Sequence, residues 1–306
     1  ILDNALFLPG GTGSITFQAG GAITMNPGAN LFASGRNVTF TGGSLSLGNI
    51  TTVVFGDGTA GNITLQATGN ITAGNLNANA VTFNEGTVGA GAISVTSNTG
   101  AISVGVLTAT SQTGAGYGTF SIVGNNVSLT TLSNGGNITF QSIDTRGYNG
   151  GDGGNVSISA RGVVRGIGTV LTSPGDTIAT SSAGGINGTV TIQHDGSPTN
   201  LQPFTVANGA VTANSGNGTV GAINTGTEVI SGQTFDFGSS PYTSPGGSTQ
   251  ITYINTTPTI SAGASSIPTT KQDTSVSFTV ASLGFLTFDE NADVPLAVRL
   301  ASVAPG

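Results

Sequence analysis

The chain has 306 residues, of which 51 are glycine, 36% are hydrophobic and only 6% are charged, with a formal net charge of −7. The hydrophobic share is too large for a disordered chain, the glycines lack the every-third-residue period of collagen, and no apolar run reaches the ~20 residues of a membrane-spanning helix. Six Lys and Arg against thirteen Asp and Glu argue against a nucleic-acid partner, which needs clustered cations to neutralise phosphates.

One Met, one Lys (Lys271) and three Glu, against abundant Thr, Val, Ile, Asn and Gly, predict strands and tight turns with almost no helix. The absence of cysteine suits either a reducing cytosol or a secreted bacterial protein without disulfides. Ile1 has neither an initiator Met nor a basic-then-apolar leader after it, so the chain reads as a processed product or a piece of something longer.

Residues 1–12, with Leu2, Leu6 and Phe7, do not alternate with Thr or Ser and are expected to cap a repeat array or to continue one. From residue 13 a short phrase recurs: GSITF at 13–17, RNVTF at 36–40, GNITL at 61–65, GNITA at 69–73, GAISV at 91–95, GNITF at 136–140, GNVSI at 154–158 and GTVTI at 188–192. Apolar residues alternate with Thr or Ser, the period-two mark of a strand with one buried face. Gly, Asn and Asp separate the phrases, and the intervals leave no room for crossover helices.

Repetition of one phrase favours a parallel solenoid over an antiparallel sandwich, because a solenoid places equivalent positions in register from coil to coil. Residues 13–237 are therefore predicted to form a solenoid with Ile15, Phe17, Ile63, Leu65, Ile102, Ile138, Phe140, Val156, Ile158 and Ile192 inside. Recurrences such as Ile63 to Val81 and Ile138 to Val156 suggest roughly 18 to 25 residues per coil, about ten coils, and a rod on the order of 50 Å. Polar turn residues would then hydrogen-bond to their equivalents one coil away.

Two segments interrupt the rhythm. Residues 144–154 (DTRGYNGGDGG) read as a glycine-rich loop bulging from a turn, and residues 163–186 as a second polar insertion. Residues 238–273 are rich in Ser, Thr and Pro and read as a strand and linker region, and residues 274–306 as a separate β segment with apolar stretches VSFTV and LAVRL.

The phrases GGNITF, TGNITAGNL, IDTRGYNGGDGGNVSISARG and GTVTIQHDG resemble the repeat region of filamentous hemagglutinin-like exoproteins of the large cyanobacterial type, over roughly residues 10–235. The resemblance implies an all-β, right-handed parallel β-helix that is secreted, held at the cell surface or released, and used as an adhesin or structural filament. It also implies export through an outer-membrane partner transporter, although the family's amino-terminal secretion domain is not recognisable. The last segment, from about Thr257, resembles the opening strands of an immunoglobulin- or cadherin-like module, at about half the ~100 residues of a whole one.

Material for catalysis is thin. The single histidine, His194 beside Asp195, reads as part of a solvated turn rather than of a triad. Asp144, Asp152 and Arg146 have the composition of a lyase site but sit close in sequence, where charges pair or face water. Arg146, Arg161 and Arg165 read as solvating a turn and a strand face. NGGDGGN at 149–155 occurs once, whereas a calcium-binding β-roll motif recurs in tandem. Neither an enzyme nor a cofactor or metal site is expected; the alternative to a structural or adhesive fibre is a carbohydrate-binding or polysaccharide-degrading β-helix protein, marked by a cleft lined with two or more carboxylates. Asn37, Asn49, Asn62, Asn70, Asn126, Asn137, Asn155 and Asn187 begin Asn-X-Ser/Thr triplets that the turn role of Asn explains without glycosylation.

Two contact surfaces are expected. Asp144, Arg146, Tyr148 and Asp152 mark a surface-contact loop, which with Tyr117 would meet glycans or other cells. Leu2, Leu6 and Phe7 at one end, and Val276, Phe278, Val280, Phe285, Leu296 and Val298 at the other, mark segments through which copies would join head to tail.

Overall fold

The structure is a computed structural model that describes residues 4–26, 28–82, 88–113, 122–123, 125–195, 204–209, 211, 218–235, 241–253, 259–261 and 286–288. No helix occurs among them. Short strands build three nine-stranded sheets, each parallel throughout except for its last strand. The chain passes from the first sheet to the second to the third and back again, as a β-solenoid does: Asn30–Ala33, Asn37–Gly42 and Ser44–Leu47 are one coil. Two three-stranded sheets add a corner between the first and second sheets in the middle coils.

The alternating phrases put their apolar residues into ladders. In the second sheet Ile15, Val38, Ile63, Ile93, Val127, Val156, Val190 and Thr249 follow one another in register. Val38, Ile63 and Val127 are fully buried, and the side chains of all three sheets join in one continuous apolar core. Every inward residue expected from the sequence is there; in the first coil, Ile15 and Phe17 are only partly covered and pack against that core from its end. Phe17 stacks on Phe40 at 4.4 Å, and on the outer face Phe7 stacks on Phe32 at 4.6 Å.

The turns correct the expected coil length for the later coils. Asn37 Oδ1 accepts the N–H of Asn62 at 2.8 Å, Asn62 Oδ1 that of Ala92 at 2.8 Å, and Asn155 Oδ1 that of Thr189 at 2.9 Å, partners that lie 25, 30 and 34 residues apart. Asn49 to Asn75, Asn70 to Ala101, Asn126 to Asn155 and Asn137 to Val163 repeat the arrangement. The first coils keep the expected 18 to 25 residues, as Asn30 to Asn49, Ile15 to Val38 and Asn37 to Asn62 show, whereas later ones are longer, 30 residues from Asn62 and 34 from Asn155, and correspondingly fewer. The physical reason is that the phrase occurs more than once per coil: GNITL and GNITA, at 61–65 and 69–73, sit in the second and third sheets of the same coil. Asn187 differs from the others, since its Oδ1 accepts the nearby N–H of Ser182 at 2.7 Å.

At the C-terminal end the chain reverses. Val229–Ile230, Gln233–Phe235 and Tyr242–Thr243 each lie antiparallel on the last strand of one of the three sheets. After them comes Thr249–Tyr253, which stacks parallel on Val190–His194 and carries Tyr242–Thr243 on its other edge. Thr259–Ser261 and Leu286–Phe288 pair antiparallel with each other. Leu2, Val276, Phe278, Val280, Phe285, Leu296 and Val298 lie outside the described residues, as do Tyr117 and residues 196–203.

Candidate functional site

A groove of about 630 Å³ crosses the outer face of the first sheet. Its floor begins in the stretch Asn75-Leu76-Asn77-Ala78-Asn79, where Leu76 and Ala78 are fully buried and the asparagines point the other way. The next coil contributes Thr108, Thr110 and Gln112, and the coil after that Ser142, Asp144 and Tyr148. Asn77, Thr108 and Asp144 are in register across three adjacent strands. Thr169–Thr172, from the second polar insertion, fold back over the sheet as a wall.

Asp144 and Arg146 lie at the foot of that wall, where the sequence suggests a bulging loop. Asp144 instead ends the strand Ile143–Asp144, in register with Thr108 and Ala179, and both side chains are nearly buried. Arg146 Nε donates to Asp144 Oδ1 at 2.9 Å and its Nη2 to Oδ2 at 2.7 Å, a bidentate pair. Nη2 also donates to Thr172 Oγ1, which lies 3.3 Å from the Tyr148 hydroxyl. The guanidinium stands over the Tyr148 ring at 5.2 Å, a cation–π distance. Burial alone would lower the Arg146 pKa, but the hydrogen bond and charge of Asp144 outweigh it and raise the pKa. Burial is also the main cause that raises the Tyr148 pKa, so the phenol stays protonated at neutral pH. At the root of the wall Asp176 Oδ2 accepts from Ser173 Oγ at 2.5 Å and from Asn224 Nδ2 at 2.9 Å.

Of the four residues expected in one contact loop, the structure brings together Asp144, Arg146 and Tyr148. Asp152 is elsewhere: its Oδ1 accepts the N–H of Ile186 at 2.7 Å. The three arginines do not cluster either, since Arg165 stands in the third sheet beside Thr139 and Thr219, and Arg146 is tied up beneath Thr172. Among the described residues no three His, Asp or Glu side chains converge as a metal ion would require.

His194 corrects the expectation of a solvated turn. It is 1% exposed, lies between the rings of Phe204 at 4.7 Å and Tyr253 at 4.3 Å, and neither ring nitrogen has a hydrogen-bond partner among the described residues. Burial lowers its pKa to about 4. The signal was present in the alternation, because Val190, Ile192 and His194 occupy successive inward positions of one strand. The groove asparagines were legible in the same way, as the polar half of NLNANA at 75–80; the wall that encloses them was not. No protein-family model, no curated protein and no solved structure matches this chain.

Proposed function

We propose that this chain is a stretch of a secreted or cell-surface structural and adhesive fibre, similar to the filamentous hemagglutinin-like exoproteins. On this reading it winds right-handedly, the hand that parallel crossover connections prefer, it leaves the cell through an outer-membrane partner transporter, and copies join head to tail. The observation that carries the reading is the stack of in-register parallel coils around one apolar core; on this reading the first coil is a surface on which a copy would join. Leu6, Leu8, Ile15, Phe17 and Ile23 remain partly exposed, whereas their partners one coil on, Leu31, Ala33, Val38, Phe40 and Leu45, are between 0% and 2% exposed. Phe7 beside them is 69% exposed.

The opposite end supports a dedicated joining segment rather than coil-on-coil continuation. Short antiparallel strands blunt all three sheet edges there. The apolar segment 274–306, at about half the length of the immunoglobulin-like module it resembles, is the part of the chain with the composition to cover a neighbour's first coil. Sedimentation and electron microscopy of the intact chain, of Phe7→Lys and of a deletion of 258–306 test the proposal. Assembly by the intact chain that both changes abolish is the expected result. A strictly monomeric intact chain, or assembly that survives both changes, contradicts it.

The groove supports a second reading, carbohydrate binding rather than polysaccharide cleavage. Its carboxylate at Asp144 already holds a bidentate guanidinium, which leaves no lone carboxyl among the described lining residues to act as an acid or base.

A further inference from the structure

We propose that the groove over Asn77 and Thr108 binds a neutral oligosaccharide, with one sugar ring against Tyr148. This deepens the adhesive reading, on which it rests only for where the ligand is met. Binding in solution and assembly into fibres are separate measurements, so either idea can fail alone.

The argument begins with the direction of the amides. Asn75 Oδ1 accepts the N–H of Val106 at 2.9 Å, Asn79 Oδ1 that of Thr110 at 2.9 Å, and Asn77 Oδ1 that of Asn79 at 3.1 Å. With each oxygen committed to the backbone, the Nδ2 groups are the free ends, and none has a partner among the described residues. They form a row of donors beside the Thr108 hydroxyl and the exposed Gln112 amide, each of which can donate and accept. The Ser142 hydroxyl is sealed from solvent and contributes nothing a ligand can reach.

Charge selects the ligand next. Among the described residues at the wall, Asp144 and Arg146 pair with each other and Asp176 at its root is held by Ser173 and Asn224, so a phosphate, sulfate or uronate would lose its hydration with no free cation in return. Donors without charge suit neutral oxygen acceptors, which are the hydroxyls and ring oxygens of sugars. Tyr148, half-buried and held at its hydroxyl near Thr172, offers an apolar ring with a polar edge. Leu171 on the rim is 93% exposed and extends that apolar side. The floor strands are hydrogen-bonded on both sides, so no free edge exists for an extended peptide to join as another strand. The rungs are ~4.8 Å apart, a spacing close to the residue repeat of an extended sugar chain lying across the coils.

The test is calorimetric titration of the intact chain with short neutral gluco-, xylo- and manno-oligosaccharides, with galacturonate oligomers and a neutral peptide as comparators. Saturable binding to a neutral sugar is expected. Asn77→Asp keeps the acceptor that Asn79 N–H uses but replaces the donor with a carboxylate oxygen, and should weaken binding at least about tenfold, or ~1.4 kcal/mol. Tyr148→Ala should do the same, while Tyr148→Phe retains the ring and most of the affinity. Absence of binding to every neutral sugar overturns the proposal. So does preference for the uronate or the peptide, or affinity unchanged in both Asn77→Asp and Tyr148→Ala.

Discussion

A glycine opens most of the strand phrases because the coils approach one another there too closely for a side chain. A Cβ on Gly91 would lie 2.1 Å from the carbonyl oxygen of Gly61, one on Gly61 would lie 1.8 Å from that of Arg36, and one on Gly188 would lie 2.2 Å from that of Gly154. The obstacle in each case is backbone of the coil before, which cannot rotate away. The asparagine or other residue that follows is then positioned to receive or give the next rung's hydrogen bond, so glycine and asparagine are one device written as GN. Gly91→Ala should therefore cost about 1–3 kcal/mol, the range for overpacking, and lower the thermal midpoint. Gly21→Ala, where nothing lies within 4 Å of the added atom, should leave it nearly unchanged. Equal effects of the two substitutions in a thermal melt would show that close approach is not what selects glycine.

At the scale of elements, the strand Val190–His194 is held to its neighbours by a ring that cannot be charged cheaply. His194 packs between Phe204 and Tyr253, and the Tyr253 hydroxyl donates to Phe235 O at 2.8 Å and accepts the N–H of Phe204 at 3.1 Å, which joins three late strands. The folded pKa of about 4 lies below the ordinary 6.5, so the unfolded chain takes up the proton first as pH falls. The contribution is whole above about 6.5, declines between there and about 4, and amounts to about 3 kcal/mol. Denaturant unfolding at pH 7 and pH 4.5 should show the loss, and His194→Phe should remove most of it; a pH slope identical in the two proteins would contradict the account. The strands themselves were legible, because Val156-Ser157-Ile158 and its equivalents alternate without exception. Coil length was not, since the same phrase serves different faces of one coil and local sequence does not say which. The groove was half legible: Asn75, Asn77 and Asn79 follow from alternation, but the burial of Asp144 and Arg146 depends on where residues 169–172 fold, a contact with no local signature.

For the molecule as a whole, three long sheets share one apolar core, and the two ends differ, with parallel strands and partly covered side chains at the first coil and short antiparallel strands at the last. Both the fibre proposal and the groove depend on successive coils lying one rung apart in register, which is also what separates this architecture from a sandwich of hairpins. The chain has no cysteine, so the register can be read by introducing pairs. Thr64 and Ser94 are direct neighbours on adjacent coils, at the ~4.8 Å strand spacing that falls within the Cα separation a disulfide spans. Thr64 and Thr72 sit in different sheets of one coil. Mild oxidation of Thr64→Cys/Ser94→Cys, followed by mass spectrometry of the linked peptides, should give a nearly complete intramolecular disulfide with the fold retained, and Thr64→Cys/Thr72→Cys should give none. Failure of the first pair to close, or closure of the second in its place, would contradict the in-register parallel solenoid.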